Sequence, residues 1–111
     1  MTTDDLTEAA VYSAGYDAGL KRGFERVQLA AEYGVSYAEA MFKEFQEQPQ
    51  WRGPKFRWDN LHESIGRLAA ASFHSIEGLD ATANEMLRSL CGAKASVRTK
   101  ELVIEHGLED A

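Results

Sequence analysis

Three glycines recur at intervals of four residues near the start of the chain, at Gly15, Gly19 and Gly23. The residues around them, from Tyr12 to Phe24, are otherwise typical of a helix, so the glycines fall in a helix interior. Each interior glycine costs about 1 kcal/mol relative to alanine, and three cost about 3 kcal/mol. Such a cost is usually offset where another backbone must come close. This glycine ladder therefore predicts close helix–helix packing.

The sequence does not determine which helix packs against the glycine ladder. The ladder is compatible with packing against a helix of the same chain, with pairing in a homodimer, and with a helix from a different protein. The small-xxx-small pattern is best established inside membranes and is a weaker signal in water. The predicted helix-packing or dimer face comprises Tyr12, Gly15, Tyr16, Gly19 and Gly23.

Composition indicates a single globular domain over residues 1–111. Hydrophobic residues make up 44% and charged residues 27% of the chain, a mixture that can build a core. The N-terminus is acidic, unlike a signal peptide, and no apolar run is long enough to cross a bilayer. We therefore expect a cytoplasmic protein without a membrane partner.

Apolar periodicity predicts two helices in the first half of the chain. The first covers about 5–33, and Gly34 is expected to end it. The second is short. It begins at Ser36, whose capping-box partner is Glu39, and Pro49 prevents its continuation.

A third predicted helix covers 59–91, with Gly92 as its end. Its apolar positions keep one phase across Gly78, which favours an uninterrupted helix. The alternative is two helices separated at Gly78, with Asp80 as the second N-cap.

The tail is predicted as a helix from Ser96 to Gly107, although a strand is an alternative for it. The whole is an all-α fold: an antiparallel helical hairpin of two long helices, with a short helix and a small C-terminal element packed on it. The predicted core contains Leu20, Phe24, Val27, Met41, Phe45, Ile65, Leu68, Ile76 and Leu87.

One short basic segment stands out in a chain whose net charge is −6. It carries alternating aromatic and basic residues, a composition suited to stacking on aromatic groups while contacting phosphate or carboxylate. Tryptophan and arginine are also enriched at protein-binding hot spots. The alternative is that the aromatic residues close the end of the helical bundle. The candidate loop site is Trp51, Arg52, Lys55, Phe56, Arg57 and Trp58.

Catalytic and metal-binding patterns are absent from the sequence. His62, His74 and His106 lack the i,i+3 or i,i+4 spacing that builds a metal site on one helix. Cys91 is the single cysteine, without redox or metal spacing around it. No nucleophile elbow or phosphate-binding loop is present. We therefore expect neither an enzyme nor a cofactor.

The run from Tyr12 to Phe24 resembles the start of small helical accessory proteins encoded by phages of actinobacteria. The resemblance covers 13 residues and implies a non-catalytic protein that binds and perturbs a bacterial host protein. The residues thus predict a protein–protein interaction module, whose partner is another protein or a second copy. The alternative is a nucleic-acid-linked role, either single-strand binding through the Trp/Arg loop or DNA mimicry by the acidic helices. Net acidity disfavours direct nucleic-acid binding.

Overall fold

The computed structural model describes the backbone of residues 3–108 and the side chains of residues 23–108. Three α-helices follow one another: α1 (Thr3–Glu47), α2 (Leu61–Ser72) and α3 (Ala81–Glu105). Short 3-10 helices at Pro49–Trp51 and Trp58–Asn60 lie in the connection between α1 and α2. Every regular element among the described residues is helical, so the predicted all-α class is confirmed.

The two long helices, α1 and α3, pack against each other, as predicted. They run in the same direction. Gly34 of α1 lies against Cys91 of α3, and eight residues further along α1 the ring of Phe42 lies 5.2 Å from that of His106, just past the end of α3. Residue numbers therefore increase in the same direction along both helices, which makes α1 and α3 parallel.

The short helix α2 supplies the antiparallel packing. Its last residue, Ser72, accepts a hydrogen bond from Tyr33 Oη, whereas Trp58, at the start of the segment leading into α2, packs on Phe42. The chain thus runs along α1, returns along α2 and runs forward again in α3. The predicted antiparallel relation holds between α2 and each long helix, and not between the two long helices.

The helix α1 continues through Gly34, so the predicted break there is wrong. A Cβ atom at Gly34 would lie 2.3 Å from the carbonyl oxygen of Cys91, closer than atoms can approach. The glycine therefore allows α1 and α3 to touch backbone to backbone. The segment predicted as a separate helix from Ser36 is the last part of α1.

A second close contact joins α2 to α3 at Gly66 and Gly92. A Cβ at Gly92 would lie 2.8 Å from the carbonyl oxygen of Gly66, and one at Gly66 would lie 3.0 Å from that of Gly92. Gly92 therefore lies inside α3 and does not end a helix, contrary to the prediction. Gly34, Gly66 and Gly92 thus each lie where two helices approach closely.

The chain breaks at Gly78, so the prediction of one helix over 59–91 is wrong and the split alternative is correct. Gly78 has φ +85°, a left-handed conformation that side chains rarely adopt. Asp80 caps α3 by accepting a hydrogen bond from the backbone N–H of Ala83 at 2.7 Å. The predicted helical tail is confirmed, but it is continuous with α3 and has no separate start at Ser96.

The core lies along the line where the three helices meet. Of the predicted core residues, Ile65 and Leu87 are buried, whereas Phe24, Val27 and Leu68 are exposed, which corrects the prediction for those three. Leu20 lies outside the described side chains. Among the described side chains, the buried apolar residues are Ala30, Ala38, Phe42, Leu61, Ile65, Ala69, Phe73, Leu87, Cys91, Ala95, Leu102 and Val103.

Candidate functional site

The predicted loop residues form an aromatic cluster at the end of the helical bundle. Phe45 stacks on Phe56 at 5.6 Å and meets Trp51 edge-on at 6.0 Å. Phe56 in turn meets Trp58 edge-on at 4.9 Å, and Trp58 lies 5.7 Å from Phe42. The structure therefore brings the aromatic residues of the loop together and packs them on α1.

The basic residues of the same loop are largely engaged within the chain. The guanidinium of Arg52 lies over the Trp58 ring at 5.3 Å, and Arg57 forms a two-point contact with Asp59 at 3.1 and 3.2 Å. Lys55 is exposed, and Trp51 keeps 47% of its surface accessible. Packing thus accounts for Phe56 and Trp58, and the binding role of the loop stays a prediction.

A cavity of about 160 Å³ lies beside this cluster, between Phe56 and Leu61. Pockets for small organic ligands usually measure about 300–1,000 Å³. The cavity is too small to be a strong ligand site.

An apolar groove lies between α1 and the beginning of α3. Its volume is about 400 Å³. Two of its lining residues, Met86 and Val27, keep 69% and 44% of their surfaces exposed. Among its lining residues only Arg26 is charged. We call this surface the α1/α3 groove; its lining residues are Gly23, Arg26, Val27, Leu79, Ala83, Met86, Leu87 and Leu90.

The groove includes the last glycine of the predicted ladder. A Cβ at Gly23 would meet no atom within 4 Å among the described residues, so Gly23 does not pack against another helix of this chain. For Gly23 the intramolecular interpretation is therefore wrong. The surroundings of Tyr12, Gly15, Tyr16 and Gly19 lie outside the described side chains.

Sequence reasoning did not identify Asn84, which organises one wall of the groove. Asn84 Oδ1 accepts a hydrogen bond from the backbone N–H of Ile76 at 2.7 Å. Its Nδ2 donates to the carbonyl oxygens of Leu79 at 3.1 Å and Asp80 at 3.2 Å. These bonds hold the segment between α2 and α3 against the first turn of α3, and Leu79 lines the groove from there. An asparagine four residues after an N-cap carries no distinctive sequence signal.

Charged side chains link α1 to α3 at the other end of the bundle. Arg98 donates to Glu39 of α1 at 3.1 Å and to Glu101 and Glu105 of α3 at 3.2 and 3.1 Å. The hydrogen bond to Glu101, followed by those to the other two carboxylates, raises the pKa of Arg98 above its ordinary value. The cluster is structural: its one cation is already surrounded by carboxylates.

No group of three or more His, Cys, Asp or Glu side chains among the described residues is placed to hold a metal ion. Within the same part of the chain, no helix combines the length and the apolar character needed to cross a membrane. Comparisons of the chain with protein-family models, with curated protein sequences and with solved structures found no match.

Proposed function

We propose that this protein is a non-catalytic protein–protein interaction module that receives a helix in the α1/α3 groove. The observation that carries the proposal is the groove itself, which is apolar, about 400 Å³ in volume and lined in part by the exposed side chains of Met86 and Val27. Contiguous exposed apolar surface on a small protein marks an interaction site, because leaving it in water is unfavourable.

The shape and chemistry of the groove favour the apolar face of an amphipathic helix. Two helices form its walls, so a third helix laid between them repeats the packing that α2 makes elsewhere in the bundle. Arg26 is the single charged lining residue. The partner helix is therefore expected to carry an acidic residue at the edge of its apolar stripe.

The resemblance of residues 12–24 to phage accessory proteins extends this proposal to a bacterial host protein as the partner. The nucleic-acid-linked alternative has less support. Arg52 and Arg57 are engaged with Trp58 and Asp59, and the chain as a whole is acidic.

The test compares binding by the wild-type chain, Met86→Glu and Ile104→Glu. Met86 and Ile104 are similarly exposed on α3, but Ile104 lies away from the groove. Each of the three chains is immobilised and exposed to a bacterial lysate. Proteins retained by the wild-type chain and by Ile104→Glu, but lost with Met86→Glu, are then purified, and their affinities for the three chains are measured. We expect Met86→Glu to weaken binding at least about tenfold, since a charge must be buried at the interface. Equal affinity of both variants for every partner would contradict the proposal.

A further inference from the structure

We propose that the helix received by the α1/α3 groove is acidic, about four turns long and supplied by a different protein. Bound there, it completes a four-helix bundle with α1, α2 and α3. The inference rests on the proposed function, because it assigns a length and a charge to the helix that this groove receives.

The helix α2 packs on one side of the α1/α3 pair. Tyr33 of α1 donates a hydrogen bond to a backbone carbonyl at the end of α2, and Gly92 of α3 lies against Gly66 of α2. Residues two positions apart in a helix lie about 160° apart around its axis. Val35 and Lys94 follow Tyr33 and Gly92 by two residues, so they lie on the side away from α2.

The apolar lining of the α1/α3 groove continues along this side. On α3, the groove residue Leu90 is followed two turns later by Val97, which keeps 54% of its surface exposed. On α1, the groove residue Val27 is followed at four-residue intervals by Ala31 and Val35, both half-buried. We call this continuous surface, from Val27 to Val35 on α1 and from Met86 to Val97 on α3, the open face.

The length of the open face limits the helix that fits it. At one end Arg98 of α3 donates to Glu39 of α1 at 3.1 Å, so an ion pair crosses the gap between the two helices one turn after Val35. At the other end lies Gly23, the first residue of the groove. Gly23 and Glu39 are 16 residues apart, which corresponds to about 24 Å along α1. A helix of about four turns fills this stretch.

Two unpaired cations lie within the same stretch. Arg26 lines the groove, and Lys94, one turn after Leu90, is exposed on the open face. Neither forms an ion pair among the described residues. An apolar surface that carries two unpaired cations favours an amphipathic helix with carboxylates beside its apolar stripe.

Carboxylates near the open face are engaged within the chain. Glu39 accepts a hydrogen bond from Arg98 at 3.1 Å. Asp80 caps the start of α3, and Glu32 accepts a hydrogen bond from Gln28 at 3.3 Å. The carboxylates that complement the two cations are therefore expected on the partner.

The positions of the two cations also set the spacing of these partner carboxylates. Gly34 is level with Cys91, and because α1 and α3 are parallel, Arg26 is level with Ala83. Lys94 lies eleven residues beyond Ala83, about 16 Å further along the bundle. We therefore expect carboxylates about three turns apart on the partner helix.

The same charges disfavour a second copy of this chain as the occupant. Pairing of two open faces would bring Arg26 and Lys94 of both chains into one interface, where like charges repel. A different protein with an acidic helix is therefore the expected partner.

The test uses two synthetic peptides as probes for this helix. Both are Ala-rich, about 16 residues long, and carry leucines three and four residues apart. Glutamates flank the leucines in one peptide, and lysines flank them in the other. Binding to the full chain is measured by fluorescence anisotropy. We expect the wild-type chain to bind the glutamate peptide at least about tenfold more tightly, although its net charge of −6 favours the lysine peptide.

Charge reversal at both cations should exchange this preference. Arg26→Glu/Lys94→Glu places two carboxylates beside the bound helix and should bind the lysine peptide more tightly than the glutamate peptide. The control Arg67→Glu/Lys100→Glu changes the net charge equally at exposed positions outside the open face, and should keep the wild-type preference. Circular dichroism and urea unfolding show whether each variant is folded. If the first double variant is not, Lys94→Glu alone replaces it and should reduce the preference at least about threefold.

The inference would be overturned if the wild-type chain did not bind the glutamate peptide, or if the control exchanged its preference as the test variant does. A wild-type dimer that Met86→Glu dissociates would also overturn it, because the occupant would then be a second copy. If both peptides bind equally and Met86→Glu abolishes the binding of both, the groove receives a helix without selecting its charge. The proposed function then stands and the inference fails. If Met86→Glu leaves peptide binding unchanged, the groove is not the binding site, and both fail.

Discussion

At the scale of single residues, what lies opposite a glycine decides its effect on stability. Gly34 and Gly23 both lie inside α1, and both carry the same helix-propensity cost. Gly34 faces the Cys91 carbonyl oxygen, where a Cβ would be 2.3 Å away, whereas Gly23 faces open space. Alanine substitutions at these two positions therefore differ only in the space that the new side chain meets.

We predict opposite effects of alanine at these two positions. Gly34→Ala forces α1 and α3 apart and should lower the free energy of unfolding by about 1–3 kcal/mol. Gly23→Ala meets no atom of its own chain and should raise it by up to about 1 kcal/mol through helix propensity. Urea denaturation of both variants beside the wild-type chain checks both values. A stabilising Gly34→Ala would show that the helices do not approach each other at this point.

The thiol of Cys91 is predicted to be inert in the folded protein. Its side chain is fully buried and donates a weak hydrogen bond to the Ala69 carbonyl oxygen at 3.6 Å. Burial raises the pKa of Cys91 from the ordinary 9.0, so the reactive thiolate is suppressed. Alkylation by iodoacetamide should follow the rate of unfolding and accelerate in urea. Rapid modification in native buffer would contradict the burial of this residue.

The raised pKa of Cys91 also makes the stability of the fold depend on pH in the alkaline range. Above the ordinary thiol pKa the unfolded chain releases the proton, while the folded chain retains it until the higher folded pKa is reached. The contribution of Cys91 to stability should therefore decline as the pH rises through this interval. The decline should be absent in Cys91→Ala.

At the scale of elements, the segment between α2 and α3 is organised by one side chain. Asn84 bonds the backbone of Ile76, Leu79 and Asp80 from the first turn of α3. Helix α3 is thereby tied to the residues that precede it, and the position of Leu79 in the α1/α3 groove follows.

Removing this side chain should destabilise the fold measurably. Asn84→Ala leaves partly buried backbone groups without partners, and we expect a loss of about 1–3 kcal/mol. Glu85→Ala removes an exposed neighbour whose ion pair with Arg88 is 3.7 Å long, and should change stability by less than about 0.5 kcal/mol. Thermal and urea unfolding of both variants provide the comparison. Equal effects would mean that the Asn84 bonds contribute nothing.

At the scale of the whole molecule, α1 and α3 are joined by close backbone packing in their middle and by a charge cluster near the end of the bundle. Arg98 contacts Glu39 on α1 and two carboxylates on its own helix. The three carboxylates are half-exposed, so solvent screens the cluster and its contribution is modest.

We predict that Arg98→Gln lowers the free energy of unfolding by about 0.5–1 kcal/mol at low ionic strength. The difference from wild type should shrink as salt is added, because the ion pairs are screened. The measurement is urea unfolding at two salt concentrations. A salt-independent loss would mean that Arg98 acts through packing of its aliphatic stem.

The sequence by itself determined the helical class, the end of α1 before Pro49, the helical character of the tail and the clustering of aromatic residues in the loop. These features depend on side-chain periodicity and local chain stiffness, which are properties of short segments. The α1/α3 groove was not predictable in this way. Its walls come from residues 23–27 and 79–90, which only tertiary folding brings together.

The tertiary structure decided where the long helices are interrupted. Gly34 and Gly78 are each followed two residues later by a residue type that favours the N-cap position, Ser36 and Asp80, so the local signals for a break are alike. At Gly34 the helix continues and packs backbone to backbone on α3, where a carbonyl oxygen occupies the space that a side chain would need. At Gly78 nothing lies within 4 Å of a Cβ, and the residue takes the left-handed conformation that ends the helical path. The difference is the presence of a neighbouring backbone, which no local pattern encodes.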